Sequence, residues 1–456
     1  MHETLLVFPR TRYPSGDPPL GVAYLASCLR AAGHQARIFD ATFRKRPFAD
    51  FARELIEHRP RLVAISTLTS MLDSAAQMAR IAAKVLPESV VILGGPHPTV
   101  ERESAARLPG VSAICMGEGE RALPALLNAD LDWRGIPGFG HVEEGHFVSN
   151  GCAQPVDDLD DVPFPAWDLL DMPRYLRLWY HLDAVGMGLR GTSIIASRGC
   201  PFNCAYCQPT LRTIFGRQIR RRSVGNVVAE LAELKGRFGI DGVMWLDDTF
   251  LLDRAWMREL CGEMIGARLG LVWGCNVRAD VVDCETLGVM KEAGLRIIHL
   301  GVESASQRIL DEVYQKGITL DQVRSAVAMA KDLGLCARGY FMLGAPTETE
   351  EEARATVELA CSLPLDDATF SITTPLPHTH LWDMTRQLVG LEMTDMDYYK
   401  VPAYRSAQVL PPEKLVRLKR EAYLRFYLGR KRFWRTVRSV CSPMGLQKTL
   451  LKLMRF

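Results

Sequence analysis

Short apolar runs alternate with stretches of helical period along most of this 456-residue chain, and the alternation is interrupted once. Residues 4–8, Ala36–Phe39, Leu62–Ser66, Val90–Leu93 and Val111–Cys115 read as strands. Leu20–Ala32, Met71–Leu86 and Glu120–Asn128 read as helices, the first stopped by Gly33. Strands separated by helices must cross a sheet face between partners, which makes the sheet parallel and covers it on both sides. Five such strands predict a doubly wound, flavodoxin-like α/β sheet, with ligands at the carboxyl ends of the strands. The interruption is Asp157–Pro165, whose aspartates and prolines predict an irregular linker. Beyond it the alternation resumes, with strands expected at Ser193–Ser197, Gly242–Leu246, Val272–Asn276, Ile297–Gly301, Arg338–Leu343 and Thr369–Thr373. Six such units predict a partial (β/α)6 barrel whose chemistry lies at the carboxyl ends of its strands. Four regions are therefore expected: a first domain at 1–150, a linker at 151–185, the barrel at 186–385 and a helical C-terminal region at 386–456.

Charge and cysteine usage narrow the setting. The net charge of +2 favours no bulk partner, but residues 412–456 hold thirteen Lys/Arg against two Glu, so this tail carries +11 and the remainder −9. No run of 18 apolar residues is present, so no transmembrane helix is expected. The opening Met1-His2-Glu3-Thr4, followed at once by a strand-like run, is no signal peptide, and a reducing cytoplasm is the expected compartment. Nine of the twelve cysteines are scattered singly, most of them in apolar runs, and read as small core residues.

The other three stand together. Arg198-Gly199-Cys200-Pro201-Phe202-Asn203-Cys204-Ala205-Tyr206-Cys207 places thiols at i, i+4 and i+7, just after the first strand of the second domain. Three thiolates in so short a loop can wrap one metal centre. A 4Fe–4S cluster usually takes four cysteines, and no fourth lies nearby, so one iron would stay open for catalysis. A structural zinc site is the alternative, but zinc asks for four protein ligands, and Cys261 is the nearest further cysteine.

This cysteine spacing after the first strand of a partial barrel resembles the radical S-adenosylmethionine superfamily. The resemblance implies that the open iron takes the amino and carboxylate groups of S-adenosylmethionine, whose reductive cleavage yields a 5′-deoxyadenosyl radical. It implies that Tyr206 lies against the adenine. Asp247 and Asp248 would lie near the methionine amino group, Glu303 and Ser304 near the ribose, and Pro346 of the Gly344-Ala345-Pro346 turn beside the adenine. Arg278 and Arg338 would meet a carboxylate of substrate or cosubstrate, or else form salt bridges in the barrel.

For the first domain a dinucleotide, a flavin or cobalamin comes into question. The loop after the first strand, Pro9-Arg10-Thr11-Arg12-Tyr13-Pro14, has no G-x-G-x-x-G, and the near match at Gly117-Glu118-Gly119 places carboxylates where a pyrophosphate would sit. Ser66-Thr67-Leu68 after the third strand and Gly94-Gly95-Pro96-His97 after the fourth resemble cobalamin-binding domains. Small residues there would let a bulky nucleotide tail slide between loops. Leu20 and Gly21, with Gly117 and Glu118, also resemble the cobalamin-binding radical subfamily. The D-x-H-x-x-G motif that supplies a histidine to cobalt is absent, so His97 is expected to hydrogen-bond within its loop.

The resemblance spans nearly the whole chain. It implies an enzyme that uses a 4Fe–4S cluster, S-adenosylmethionine and cobalamin to methylate an unactivated carbon, or phosphorus, of a small-molecule or lipid-like substrate. A low-potential ferredoxin or flavodoxin is the implied reductant. Cyclisation or rearrangement without methyl transfer, as in anaerobic porphyrin cyclases, remains open, as does a noncatalytic cobalamin sensor. The tail, Tyr423–Arg435, is expected to pack as a helix with a solvated face. Peripheral membrane contact is a further possibility for it, and nucleic acid is not expected as a partner.

Overall fold

The computed structural model describes residues 3–10, 16–389, 410–430, 432–441 and 445–448. Part of the loop after the first strand and parts of the C-terminal region lie outside them. The chain divides into two compact units, Met1–Met172 with Thr210–Arg221, and Pro173–Pro209 with Arg222–Phe456.

The first unit is built on strands β1 (Glu3–Phe8), β2 (Gln35–Asp40), β3 (Leu62–Ser66), β4 (Val90–Gly94) and β5 (Ala113–Cys115). They pair in the order β2-β1-β3-β4-β5, all parallel, which is the flavodoxin-like order. Alternate residues of β1 feed opposite faces. Leu5 and Val7 pack with Phe39 and Phe51, while Leu6 packs with Val22 and Leu29. The sheet is wider than the five strands expected. An antiparallel pair, β6 (Phe139–Glu143) and β7 (His146–Ser149), extends it beyond β5. Glu144 and Gly145, at φ 49° and 80°, form the two-residue turn between them. The Asp- and Pro-rich stretch is also more ordered than expected. It holds a 3-10 turn, Leu159–Asp161, in which the Asp158 carboxylate accepts from the Asp160 N–H.

The second unit contains β8 (Gly191–Ile194), β9 (Gly242–Trp245), β10 (Val272–Val277), β11 (Leu295–Glu303), β12 (Cys336–Leu343) and β13 (Asp367–Ile372). Each pairs in parallel with its neighbours in sequence order, giving the six-stranded partial barrel. Its helices begin on side-chain caps. Ser223, Asp253, Asp283, Thr319 and Thr349 each accept from a backbone N–H of the first turn, and the two threonines complete capping boxes.

The N-terminal ends of the first barrel strands are filled by one indole. A Cβ on Gly191 would stand 2.1 Å from the Trp179 ring, and one on Gly242 would stand 3.1 Å from it. Leu182 meets Gly274 in the same way, at 3.4 Å. The Trp179 Nε1–H donates to Ser193 Oγ at 3.3 Å. These side chains close the N-terminal side of the first three strands, and a site is expected at the carboxyl ends.

The helix Pro412–Leu428 of the tail packs on β13 and on helix Glu350–Ser362. Phe426 is buried against Phe370, and the Arg432 guanidinium donates to the carbonyls of Cys361, Leu363 and Leu365. Leu424, Leu428 and Trp434 lie exposed on the tail. No helix among the described residues is long and apolar enough to cross a membrane.

Candidate functional site

The cysteine loop follows β8 at the carboxyl end of the barrel. Gly199 adopts φ 101°, a conformation that favours glycine, and Cys200 begins the loop. The loop is held through its backbone: the Ala205 N–H donates to Tyr314 O at 2.8 Å, and the Leu381 N–H to Ala205 O at 2.9 Å. The Cys207 N–H turns back to Cys204 O at 3.0 Å. Burial pushes the Cys200 thiol up and the Cys207 thiol up to about 12. Free thiols there would stay protonated, and only a cation in the loop would favour the thiolates. Among the described residues no group of three His, Cys, Asp or Glu side chains converges on a single ion. Three thiols spread along one loop suit a cluster, in which each thiolate meets a different iron.

Arg278, just beyond β10, reaches this loop. Its Nη1–H donates to Cys204 Sγ at 3.4 Å, and its guanidinium lies 3.6 Å from the centroid of the Phe202 ring. Asp280 holds the same guanidinium through Oδ1 and Oδ2, each at 3.0 Å. Tyr206 and Glu303 also meet. Lys316, which sequence reasoning missed, donates to Glu303 Oε1 at 2.6 Å and to the Tyr206 hydroxyl at 3.1 Å. Glu303 ends β11 with φ 65°, an unusual conformation for a residue other than glycine and one that recurs at functional sites. The only trace of Lys316 in the sequence is a lone lysine between Gln315 and Gly317, both of which adopt positive φ.

The remaining barrel residues divide. Asp248 accepts from the Gly199 backbone and so joins the cysteine loop. Asp247 is spent on structure. Its Oδ1 accepts from Ser197 Oγ at 2.5 Å and from the Ala196 N–H at 3.2 Å, while burial pushes its carboxyl up to about 6. Ser304 is buried and turned toward helix Glu350–Ser362, its hydroxyl 3.4 Å from that of Thr356. Arg338 is placed away from the site. It lies near the start of β12, fully engaged in a buried ion pair with Asp367 at the start of β13, and Tyr427 bonds the same carboxylate. The salt-bridge alternative for Arg338 is therefore the one seen.

Pro346 sits in the turn after β12, where Gly344 adopts φ 85°. Glu348 folds back on that turn, accepting from the Gly344 N–H at 2.5 Å and the Ala345 N–H at 3.3 Å. Burial pushes the Glu348 carboxyl from 4.5 to about 7. The folded state thus binds this proton more tightly than the unfolded chain does. The stability from that proton is fully present below pH 4.5 and is lost as pH rises through about 7. Glu348→Gln is expected to flatten this dependence, worth up to about 3 kcal/mol, read as the thermal midpoint across that range. An unchanged slope would remove Glu348 as its source.

In the first unit, the loops after β3, β4 and β5 are laced into one cradle. The Thr67 N–H donates to Gly94 O at 2.8 Å, and the His97 N–H to Thr67 O at 3.0 Å. Gly95 takes φ 99°, and a Cβ there would lie 3.2 Å from Thr67 O and 3.7 Å from Ser66 Oγ. Thr99 Oγ1 donates to Gly95 O at 2.8 Å and accepts from the Gly117 N–H at 3.0 Å. His97 is buried with Nδ1 3.2 Å from Thr69 Oγ1, so its bond crosses to the loop after β3 rather than staying in its own, and burial lowers its pKa, which keeps the ring neutral. Leu68 is exposed beside these glycines. Leu20 is buried at the start of helix Leu20–Ala31, and Gly21 follows it, exposed, with open space where a Cβ would stand. Glu118 points elsewhere, into an ion pair with Arg220. Backbone-lined glycines, an open leucine and an uncharged histidine fit a large corrinoid rather than a compact anion.

A doubly wound domain with a glycine cradle and a partial barrel with a three-cysteine loop define a two-domain cofactor-binding protein with a cluster site in its barrel. Comparison with known proteins agrees. The chain matches the B12 binding domain over residues 13–127 and the radical SAM superfamily over residues 194–360. It is 36% identical over 421 residues to an uncharacterized methyltransferase of Pyrococcus horikoshii, covering 91% of this chain and 88% of that one. It is 30% identical to the anaerobic magnesium-protoporphyrin IX monomethyl ester cyclase of Cereibacter sphaeroides, covering 94% and 72%. Its fold is similar to that of the radical S-adenosylmethionine methyltransferase TsrM of Kitasatospora setae, with a TM-score of 0.71 at 19% identity, covering 86% and 78%. The chain belongs to the cobalamin-binding radical S-adenosylmethionine enzymes, and its cofactors are cobalamin, S-adenosylmethionine and a 4Fe–4S cluster.

Proposed function

We propose that this enzyme methylates an unactivated carbon, or phosphorus, of a small-molecule or lipid-like substrate. The observation that carries the reading is the 36% identity to a methyltransferase along nearly the full length of both chains. The bound groups supply a methyl donor at cobalt and a hydrogen-abstracting radical. The chain's own residues hold and orient. Cys200, Cys204 and Cys207 each ligate one iron of the cluster. Arg278 stands against Cys204 and offsets thiolate charge. Tyr206, Glu303 and Lys316 form a polar edge that would hold the cosubstrate nucleoside, Glu303 offering a carboxylate to its hydroxyl groups. Ser66, Leu68, Gly94, Gly95, His97 and Gly117 line the corrinoid cradle. A low-potential ferredoxin or flavodoxin delivers the electron.

Gly95→Val tests the cradle. A β-branched side chain at φ 99°, its Cβ pressed on the Thr67 backbone, is expected to cut corrinoid retention at least tenfold and leave iron unchanged. Full corrinoid occupancy in that variant would move the cofactor away from Gly95.

The reaction itself is tested with anaerobically reconstituted enzyme, trideuteromethyl S-adenosylmethionine and extracts of the source cells. A product carrying three deuteriums supports methylation. Cyclisation is the second reading, favoured by the 30% identity to the porphyrin cyclase over 94% of this chain. It predicts an unlabelled product of altered mass. For a lipid-like substrate, the exposed Leu424, Leu428 and Trp434 on the arginine-rich tail are suited to peripheral membrane contact. Cosedimentation with anionic vesicles should then fall when Trp434 is replaced by alanine.

A further inference from the structure

We propose that Arg220 is a positioning residue of the corrinoid site, acting through Glu118; the proposal rests on the cobalamin reading of the cradle. Glu118 leaves the loop after β5 among the residues expected to touch the cofactor, yet its buried carboxylate is engaged mainly by protein groups. Oε1 accepts from Arg220 Nη2 at 2.6 Å, and Oε2 accepts from Arg220 Nη1 at 2.9 Å and from the Val156 N–H at 2.8 Å. Arg220 donates also to Val156 O at 2.5 Å and to Phe215 O at 3.1 Å. Their side chains are only 10% and 4% exposed. A charge pair this buried persists only where its geometry is fixed from several sides, and removing either partner strands the other without solvent.

The placement of the pair gives it a use beyond packing. Arg220 is the penultimate residue of Thr210–Arg221, a segment that follows the third cysteine of the loop closely in sequence but folds as part of the first unit. The segment's helix, Thr210–Phe215, packs on the helix Pro96–Val100. That helix follows Gly95 and carries His97. Thr99, on the same helix, bonds both Gly95 O and the Gly117 N–H, and Gly117 precedes Glu118. The clasp and the segment therefore back the helix that carries the glycine cradle's His97 and Thr99. Without the clasp, the helix carrying His97 loses the segment that backs it, and the cradle loses the fixed spacing a rigid macrocycle requires.

The test uses the full chain, anaerobically reconstituted with iron and sulfide and titrated with hydroxocobalamin by absorbance. Arg220→Met and, with less steric change, Glu118→Gln are each expected to raise the dissociation constant at least tenfold while iron per chain is unchanged. The double variant Glu118→Arg, Arg220→Glu is expected to recover a measurable part of the lost affinity. Trypsin supplies a second readout, because Arg212, Arg217 and Arg221 offer cleavage sites in the segment. Hydroxocobalamin should slow cleavage there in the unmodified chain and not in Arg220→Met. Unchanged affinity and unchanged protection in both single variants would overturn the proposal. So would a loss that the double variant does not relieve and that goes with a lower thermal midpoint of the apoprotein, since the pair would then be a structural pin. If the unmodified chain takes up no hydroxocobalamin, the cradle reading itself fails first.

Discussion

Cys204→Ala is expected to empty the barrel of iron and leave the corrinoid in place. Cys204 is the most enclosed of the three thiols and the one that Arg278 addresses at 3.4 Å. Alanine removes a cluster ligand and leaves the guanidinium facing a cavity, so the two remaining thiolates cannot hold the cluster against loss. About four irons per chain are expected before the change, and a fall of at least tenfold after it. Formation of 5′-deoxyadenosine should drop below detection. The corrinoid, held in a unit with its own core, should stay near one per chain. Iron, sulfide and corrinoid measured on one anaerobic sample decide the matter. Unchanged iron would remove Cys204 from the ligand set. A protein whose cobalamin-linked role survives the change intact would be a sensor rather than a catalyst.

Gly191→Ala is expected to cost more stability than any conservative change in the catalytic loop. The new methyl carbon would stand 2.1 Å from the Trp179 ring, and that ring is wedged over Gly242 as well. Neither a flexible side chain nor solvent is available to yield, so the strain falls on the first strand of the barrel. Overpacking of this severity is worth about 3 kcal/mol or more, a large share of the ~5–15 kcal/mol that holds a typical domain together. The thermal midpoint should fall and soluble yield with it. Trp179→Leu in the same chain should return part of the loss, because the clash and not the backbone is the cause. No recovery in the double variant would place the defect elsewhere.

The parallel strands of both units were legible because a helix-length gap between apolar runs admits only a crossover connection. The cysteine loop was legible because its spacing is rare and confined to one turn of chain. What escaped has physical reasons. The β6–β7 hairpin is short and exposed along β7, so alternation could not mark it, and its Glu-Gly turn is weak as a signal. Arg338 and Arg278 carry similar sequence signals at two barrel strands that flank β11. Only register separates them: Arg278 lies just beyond the carboxyl end of its strand and Arg338 near the start of its own, beside Asp367. Lys316 escaped because it belongs to an irregular turn that tertiary contacts define. Residues 210–221 escaped for the same reason, since nothing local shows that a segment returns to a distant core.

A partial barrel ends in a bare last strand, and here two phenols act as its missing neighbour. The Phe370 N–H donates to the Tyr423 hydroxyl at 3.0 Å, which in turn reaches Phe370 O at 3.3 Å, and the Tyr427 hydroxyl donates to Ala368 O at 3.1 Å. Side chains of the tail thus occupy hydrogen-bonding positions that an incoming chain would otherwise use. A polypeptide cut before Pro412 would carry every cofactor ligand proposed above and still present a sticky edge to its copies, so the tail serves as a guard against self-association as much as a border of the catalytic unit.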